Sequence, residues 1–278
     1  MTGLRPQYPL AALLKASGLA RSTYYYQARQ AQAADKHAEL KGRIGAVYAH
    51  HKGRYGYRRI TATLRQAGQC VNHKTVQKLM QVLGLKSLVR PKKYRSYRGG
   101  PALMAPNLLA RQFVADRPNQ KWVTDVTEFN VRGQKLYLSP VMDLYNGEIL
   151  AYETSRRPMF KLVGAMLKKA LARLSPTDRP VLHSDQGWQY QQFNYRQMLE
   201  ARSITQSMSR KGNCLDNAAM ESFFGTLKAE FFHLNRFDNI DQLEAGIRRY
   251  IRYYNHDRIK LKLKGLSPVQ YRTQAFGL

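Results

Sequence analysis

Apolar positions along the chain follow first a helical and then a strand-like period. Leu10, Leu13 and Leu14 form one face behind Pro9, a residue suited to a first helical position, until Ser17-Gly18 interrupts them. Ser22 stands where it can cap a second short helix over residues 24–30, which gives a helix-turn-helix outline. A second outline is clearer. Residues 58–64 form a helix stopped by Gly68. Asn72 then caps another, in which Val76, Leu79, Met80 and Leu83 fall at i, i+3, i+4 and i+7 before Gly84 ends it. The opposite face carries His73, Lys74, Gln77, Lys78 and Gln81, side chains that reach phosphates and base edges in a major groove. A merely solvated face is the blander alternative, but this one is basic and amide-bearing and has no acid.

Periodicity is lost over residues 86–111, where Lys86, Arg90, Lys92, Lys93, Arg95 and Arg98 precede Gly99-Gly100-Pro101, a basic linker. Beyond it the period becomes that of strands. Residues 121–129 are β-branched and aromatic, and residues 136–145 and 149–154 flank Asn146-Gly147, a strong hairpin signal. Helices are expected over residues 161–173, 193–201, 218–232 and 240–254, with strands over 180–185 and 204–207. The result is an α/β domain on a mixed five-stranded sheet, preceded by an all-α region. The expected divisions are a helix-turn-helix segment over 1–45, a second over 46–90, a linker over 91–115, and an α/β domain with a C-terminal helical extension over 116–278.

Charge says what the helical region holds. The 278 residues carry 46 Lys and Arg against 18 Asp and Glu, a formal net charge of +28. The first hundred residues contain 20 of the basic and 2 of the acidic side chains, and no carboxylate lies between Glu39 and Asp116. A folded surface of this kind repels itself until a polyanion neutralises it, and DNA does so with release of counterions. Arg58, Arg59, His73, Lys74, Gln77 and Lys78 are expected to contact it, and Lys92 and Lys93 to follow its backbone. The two cysteines, Cys70 and Cys214, form no pair, as in a reducing compartment. His50, His51, Cys70 and His73 match no zinc-finger spacing. The apolar runs are too short to span a bilayer and no leader precedes them, so a cytoplasmic, nucleoid-associated protein is expected.

Three acids stand out by setting. Asp125 lies in the middle of an apolar strand, Asp185 at the end of a later one before Gln186-Gly187, and Glu221 in the first turns of a helix. Their spacing alone is near coincidence. An acid on a buried strand, however, costs several kcal/mol unless paired or metal-bound. On the Glu221 helix, Met220, Phe223, Phe224, Leu227 and Phe231 form the apolar stripe, with Glu221, Gly225 and Lys228 opposite and Asn217 or Asp216 as cap. Two divalent ions held by hard carboxylate oxygens suit phosphodiester chemistry, with Asp125 bridging, Asp185 holding one and Glu221 the other. Lys228, Lys211 and Asn213 are expected to meet DNA.

Residues 122–127 (WVTDVT), 183–187 (HSDQG) and 211–224 (KGNCLDNAAMESFF) resemble the catalytic signatures of bacterial insertion-sequence transposases of the IS-three type, in particular OrfB, the catalytic half related to retroviral integrases. Residues 55–60, 82–85, 254–256 and 265–268 resemble the family's helix-turn-helix and C-terminal signatures. The resemblance implies an RNase H-like core with helices on both faces of its sheet, and Asp125, Asp185 and Glu221 as the metal-binding triad. It implies Mg2+ as cofactor, with Mn2+ able to substitute. It also implies 3′-end cleavage and strand transfer, DNA ends and target DNA as partners, a homodimer or higher assembly on DNA, and an OrfA partner or fusion. The rival reading is a catalytically idle DNA-binding regulator of transposition. Residues 260–264 (KLKLK) depart from the family pattern.

Overall fold

The long strand expected from residue 121 onward breaks in two. In the computed structural model, which describes residues 4–32, 35–89, 114–209 and 217–275, β1 (Lys121–Thr124) stops before Asp125 and β2 (Thr127–Val131) starts after Val126. Both lie along the same edge of β3 (Gln134–Asp143), with Thr124 opposite Val141 and Thr127 opposite Leu138, so one register runs through the break. The sheet therefore has six strands rather than the expected five. The cause is local: the Asp125 carboxylate accepts the Val126 N–H at 2.7 Å. A two-residue turn, Arg132-Gly133, with φ of 51° and 84°, joins β2 to β3.

β4 (Ile149–Ser155) pairs antiparallel with the far edge of β3, while β5 (Val181–Ser184) pairs parallel with β1 and β6 (Thr205–Met208) parallel with β5. Across the sheet the order is β4, β3, the β1–β2 run, β5 and β6, the mixed RNase H-like arrangement. Strand alternation feeds two cores. Trp122, Val141 and Leu182 pack against α6 (Phe160–Leu171) and α7 (Phe193–Glu200), whereas Val123, Phe129 and Leu138 pack against α8 (Ala218–Glu230) and α9 (Ile240–His256). Each of these fully buried side chains contributes about 1.5–3 kcal/mol.

The Asn146-Gly147 hairpin is not a two-residue one. Residues 144–148 separate β3 from β4, and Asn146 is buried, its amide donating to the Pro268 carbonyl at 2.8 Å. Asn255, on α9, both donates to and accepts from the Ile149 backbone, each at 2.9 Å. These two contacts explain the C-terminal signature: its asparagine and its Ser-Pro turn clasp the β3–β4 loop, and α10 (Pro268–Ala275) follows.

The helical region contains α1 (Leu10–Ser17), α2 (Arg21–Gln32), α3 (Ala38–His50), α4 (Tyr57–Gln66) and α5 (His73–Val82). Ser22 falls inside α2 rather than at its cap. The chain forms two compact units, residues 1–46 and 47–278. In the first, α1 closes on Gly18 at φ 65°. In the second, Asn72 caps α5 by accepting the Lys74 N–H, and Val76, Leu79 and Met80 are buried, while Leu83 stays exposed beyond the helix end. Most of the basic linker lies outside the described residues.

Within residues 47–278, α4 is fastened to the end of α8. Glu230 is buried and receives two bonds from the Arg258 guanidinium at 2.7 Å, one from Tyr250 at 3.0 Å and one from Arg59 at 3.1 Å. Burial alone would raise its pKa, but the Arg258 and Arg59 interactions outweigh this and hold it below the usual range. Its stabilising contribution is therefore present at neutral pH and lost on acidification. Replacing Glu230 with Ala leaves Arg258 buried without its carboxylate, and the expected cost is about 3–5 kcal/mol by urea unfolding at pH 7. A loss below about 1 kcal/mol would remove Glu230 as an anchor.

Candidate active site

Two of the three acids meet because of strand register. β1 and β5 run parallel with Val123 opposite His183, so Asp125 and Asp185, each two residues further on, emerge side by side. They line one cleft of about 260 Å³ together with Thr127, Glu128, Gly187 and Tyr190. The Gly187 N–H holds the Asp185 carboxylate at 2.9 Å, and a Cβ on Gly187 would come within 2.9 Å of that same oxygen. The glycine after Asp185 thus lets its own backbone close on the acid.

Glu221 sits exposed on the first turn of α8 and does not line the cleft, though its charge is felt at Asp125. Asn217 fixes where that helix begins. It was expected to cap α8, but its side chain makes no cap bond. Instead it donates to the Thr124 carbonyl at 3.2 Å, next to Asp125. Further along α8, the Lys228 ammonium lies 5.3 Å from the centre of the Phe129 ring, and its charge too reaches Asp125.

The electrostatics are those of crowded anions. Burial, then the charge of Asp185, push the Asp125 carboxyl up to about 7; Glu221 adds to this, while the Val126 N–H and Lys228 oppose it. Asp185 is also raised by burial, against the pull of the Gly187 N–H. Glu128, on the rim, is different: Tyr137 and Lys135 bond its carboxylate and lower its pKa. Tyr190 is fully buried at the cleft, and its hydroxyl is raised by burial and by both aspartates. Nothing in the local sequence singled out Tyr190, and Asn217 stood out only as a cap; the roles of both come from distant partners. Among the described residues no three His, Cys, Asp or Glu side chains gather closely enough to hold one metal ion.

The remaining sequence-predicted residues separate into groups. His73, Lys74, Gln77 and Lys78 are exposed on α5, and Arg58 is exposed on α4. Arg59 departs from the expectation of a DNA contact: its guanidinium turns inward to Glu230 and over the Tyr55 ring. His51, weighed as a zinc ligand, is stacked on Tyr55 with ring centres 3.7 Å apart and bonded to the Tyr253 hydroxyl. Lys92, Lys93, Lys211, Asn213 and Asp216 lie outside the described residues.

A mixed sheet presenting adjacent aspartates, beside a helix bearing a glutamate, is the arrangement of the integrase core. The sequence matches the Integrase core domain family over residues 115–214 and again over 221–276, and the HTH-like domain family over residues 35–93. The chain belongs to the insertion-sequence transposases with an integrase core, enzymes of the DDE class that act on DNA. Its relatives are of the IS3 type. The putative transposase InsK of element IS150 from Escherichia coli K12 is 54% identical over 98% of this chain and 96% of its own length. InsF of IS3A, from the same organism, is 31% identical over 96% and 95%. Among solved structures, the HTLV-2 integrase catalytic core in complex with magnesium aligns at a TM-score of 0.44 and 16% identity, over 56% of this chain and 98% of that one.

The raised Asp125 carboxyl sets a pH dependence. Between the ordinary 3.8 and about 7, the unfolded chain ionises Asp125 while the folded one keeps its proton. Stability of the metal-free protein is therefore expected to fall as pH rises through this window and to level off above it. Asp125→Asn removes the penalty and should stabilise the protein by a few kcal/mol at pH 8, with the gain shrinking toward pH 4. Urea unfolding at both pH values checks this; a difference that does not change with pH would refute it.

Proposed function

We propose that Asp125, Asp185 and Glu221 are the catalytic triad of this transposase and that they hold two Mg2+ ions, with Mn2+ able to substitute. The observation that carries the reading is the side-by-side emergence of Asp125 and Asp185 into one cleft, with burial raising both carboxyls and the charge of Asp185 raising that of Asp125 further. The donor set fits a hard divalent cation: carboxylate oxygens, a cleft with room for phosphate, and anionic crowding that a cation relieves. Glu221, exposed on the first turn of α8, is the third donor. Bound there, divalent ions supply Lewis-acid stabilisation of the attacking and leaving oxygens of an in-line displacement.

The chain's own residues do the positioning. Asp125 would hold such an ion only once its carboxyl has lost its proton. The Val126 and Gly187 N–H groups fix the orientation of the two aspartates. Lys228, with Lys211 and Asn213, contacts DNA phosphate, and Arg58, His73, Lys74, Gln77 and Lys78 hold the duplex, with Lys92 and Lys93 following its backbone. Water first attacks a phosphodiester at the element's end and frees a 3′-hydroxyl. That hydroxyl then attacks a second phosphodiester, whose own 3′-oxygen leaves as a hydroxyl, and the strands are joined. Residues 46–90 act as the DNA-holding domain and 116–278 as the catalytic one. Two DNA ends must be brought together, so a homodimer or larger assembly forms on DNA, alone or with an OrfA partner or fusion. Among the described residues no helix is long and apolar enough to cross a membrane.

Asp125→Asn, Asp185→Asn and Glu221→Gln should each abolish metal-dependent nicking and joining of the element's own ends, at least a hundredfold on the scale of losing a key transition-state contact. Duplex binding without metal should stay within about threefold of wild type, since none of the three is cationic. Cleavage at the wild-type rate by any one of them would sink the assignment. Sequence-specific binding by the wild type, with no Mg2+- or Mn2+-dependent product, would mark an idle regulator instead.

A further inference from the structure

We propose that a second groove, built jointly by the helix-turn-helix and the C-terminal segment over residues 261–265, holds backbone phosphates of the element-end duplex read by α5. The proposal rests on the reading of this chain as an enzyme of DNA ends and adds a binding site to it. The groove encloses about 680 Å³ and is lined from one side by Arg58, Arg65 and His73 and from the other by Lys264 and Gly265, with no carboxylate in its wall.

The cations of this groove are available to a ligand. Arg58 and Arg65 each use only Nε, donating to the Tyr57 hydroxyl at 3.1 Å and to the Val71 carbonyl at 3.0 Å. Among the described residues, neither they nor Lys264 is bonded to a carboxylate. The contrast is with Arg59 and Arg258, in the same unit, which turn into the fold to Glu230. Exposed guanidinium forks with free terminal nitrogens match the geometry of phosphate oxygens.

The far wall is built rather than incidental. Lys264 and Gly265 adopt consecutive left-handed conformations, φ 56° and 84°, the first of them unfavourable for a lysine. The Gln66 amide donates to the Gly265 carbonyl at 2.9 Å, and a Cβ at position 265 would lie 3.1 Å from that amide nitrogen. The Lys260 N–H bonds the Leu266 carbonyl at 2.9 Å, and the Gly265 N–H bonds that of Lys260 at 3.1 Å. The turn is thus locked against α4 and carries Lys264 to the groove. The alternation of residues 260–264 sorts its side chains: Leu263 is buried, Lys262 and Lys264 are exposed, and Lys260 points inward to the Gly147 carbonyl. The lysines that depart from the family pattern therefore include one at this wall.

Position selects the occupant. His73 belongs both to the groove and to the first turn of α5, whose exposed Lys74, Gln77 and Lys78 form the reading face. A duplex lying with its major groove on that helix carries its backbone past the helix start, over the basic wall. DNA selected by a reading helix is the element's own end.

The test is the salt dependence of binding, by fluorescence anisotropy without metal, between 50 and 200 mM salt. The probe is a duplex carrying the terminal sequence of this protein's own element. Lys264→Gln and Arg58→Gln should each lower the slope of log affinity against log salt by about 0.9, one phosphate contact apiece. Thermal unfolding should be unchanged, since both side chains are exposed. Lys168→Gln, an exposed lysine on α6, should leave the slope alone. An unchanged slope for Lys264→Gln, or an equal drop for Lys168→Gln, overturns the proposal. So does a change for Lys264→Gln confined to an unrelated duplex, which would assign the groove to target DNA. Because no catalysis is measured, a wild type that makes no strand-transfer product would defeat the functional reading and leave this result standing.

Discussion

The parallel pairing of β1 with β5 is the constraint from which the site follows. Once Val123 stands opposite His183, two anionic side chains must emerge side by side at the strand ends. Burial first, and then the charge of Asp185, push the Asp125 carboxyl up to about 7 there. That strain costs stability in the metal-free protein. It persists because the sheet over-determines the geometry, with Trp122 and Val123 fully buried in separate cores on opposite faces. Hydrophobic burial on both faces of β1 is therefore what keeps the anions together.

A second fixation places the third acid. α8 is tied at its start by Asn217 to the Thr124 carbonyl and at its end by Glu230 to Arg258, Tyr250 and Arg59. Between these ties, Phe223, Phe224 and Leu227 pack into the core, so the helix can neither slide nor rotate without breaking one of them. Glu221, one turn from the Asn217 tie, is exposed on the first turn of this doubly tied helix.

Periodic features were legible in the sequence because they are local. The α5 stripe, the cap at Asn72, the α8 stripe and the placing of strands 149–155, 181–184 and 205–208 all rest on spacing within one element. The settings of Asp185 just past a strand end and of Glu221 at a helix start were readable for the same reason, whereas Asp125, expected in mid-strand, falls between β1 and β2. What failed depends on partners far along the chain. Arg59 looked like a DNA contact from its exposed, basic neighbourhood, but its carboxylate lies 171 positions away. Asn217 looked like a cap, and its true acceptor is 93 positions back. Asn146-Gly147 looked like a tight hairpin, and the asparagine is instead held by a carbonyl 122 positions on. The break at Asp125 was invisible because Val123 and Val126 read through it as one β-branched run.

The same Glu230 links α4 to α8. α4, whose exposed face carries Arg58, is fastened through Arg59 to the last residue of α8, and α8 carries Glu221 near its first. Arg54 reinforces the joint, donating to the Glu230 carbonyl at 3.0 Å and lying over the Tyr253 ring. Both helices belong to the one compact unit over residues 47–278. The exposed face of α4 is therefore held in a fixed relation to α8 through one buried acid, whose removal would loosen both helices at once.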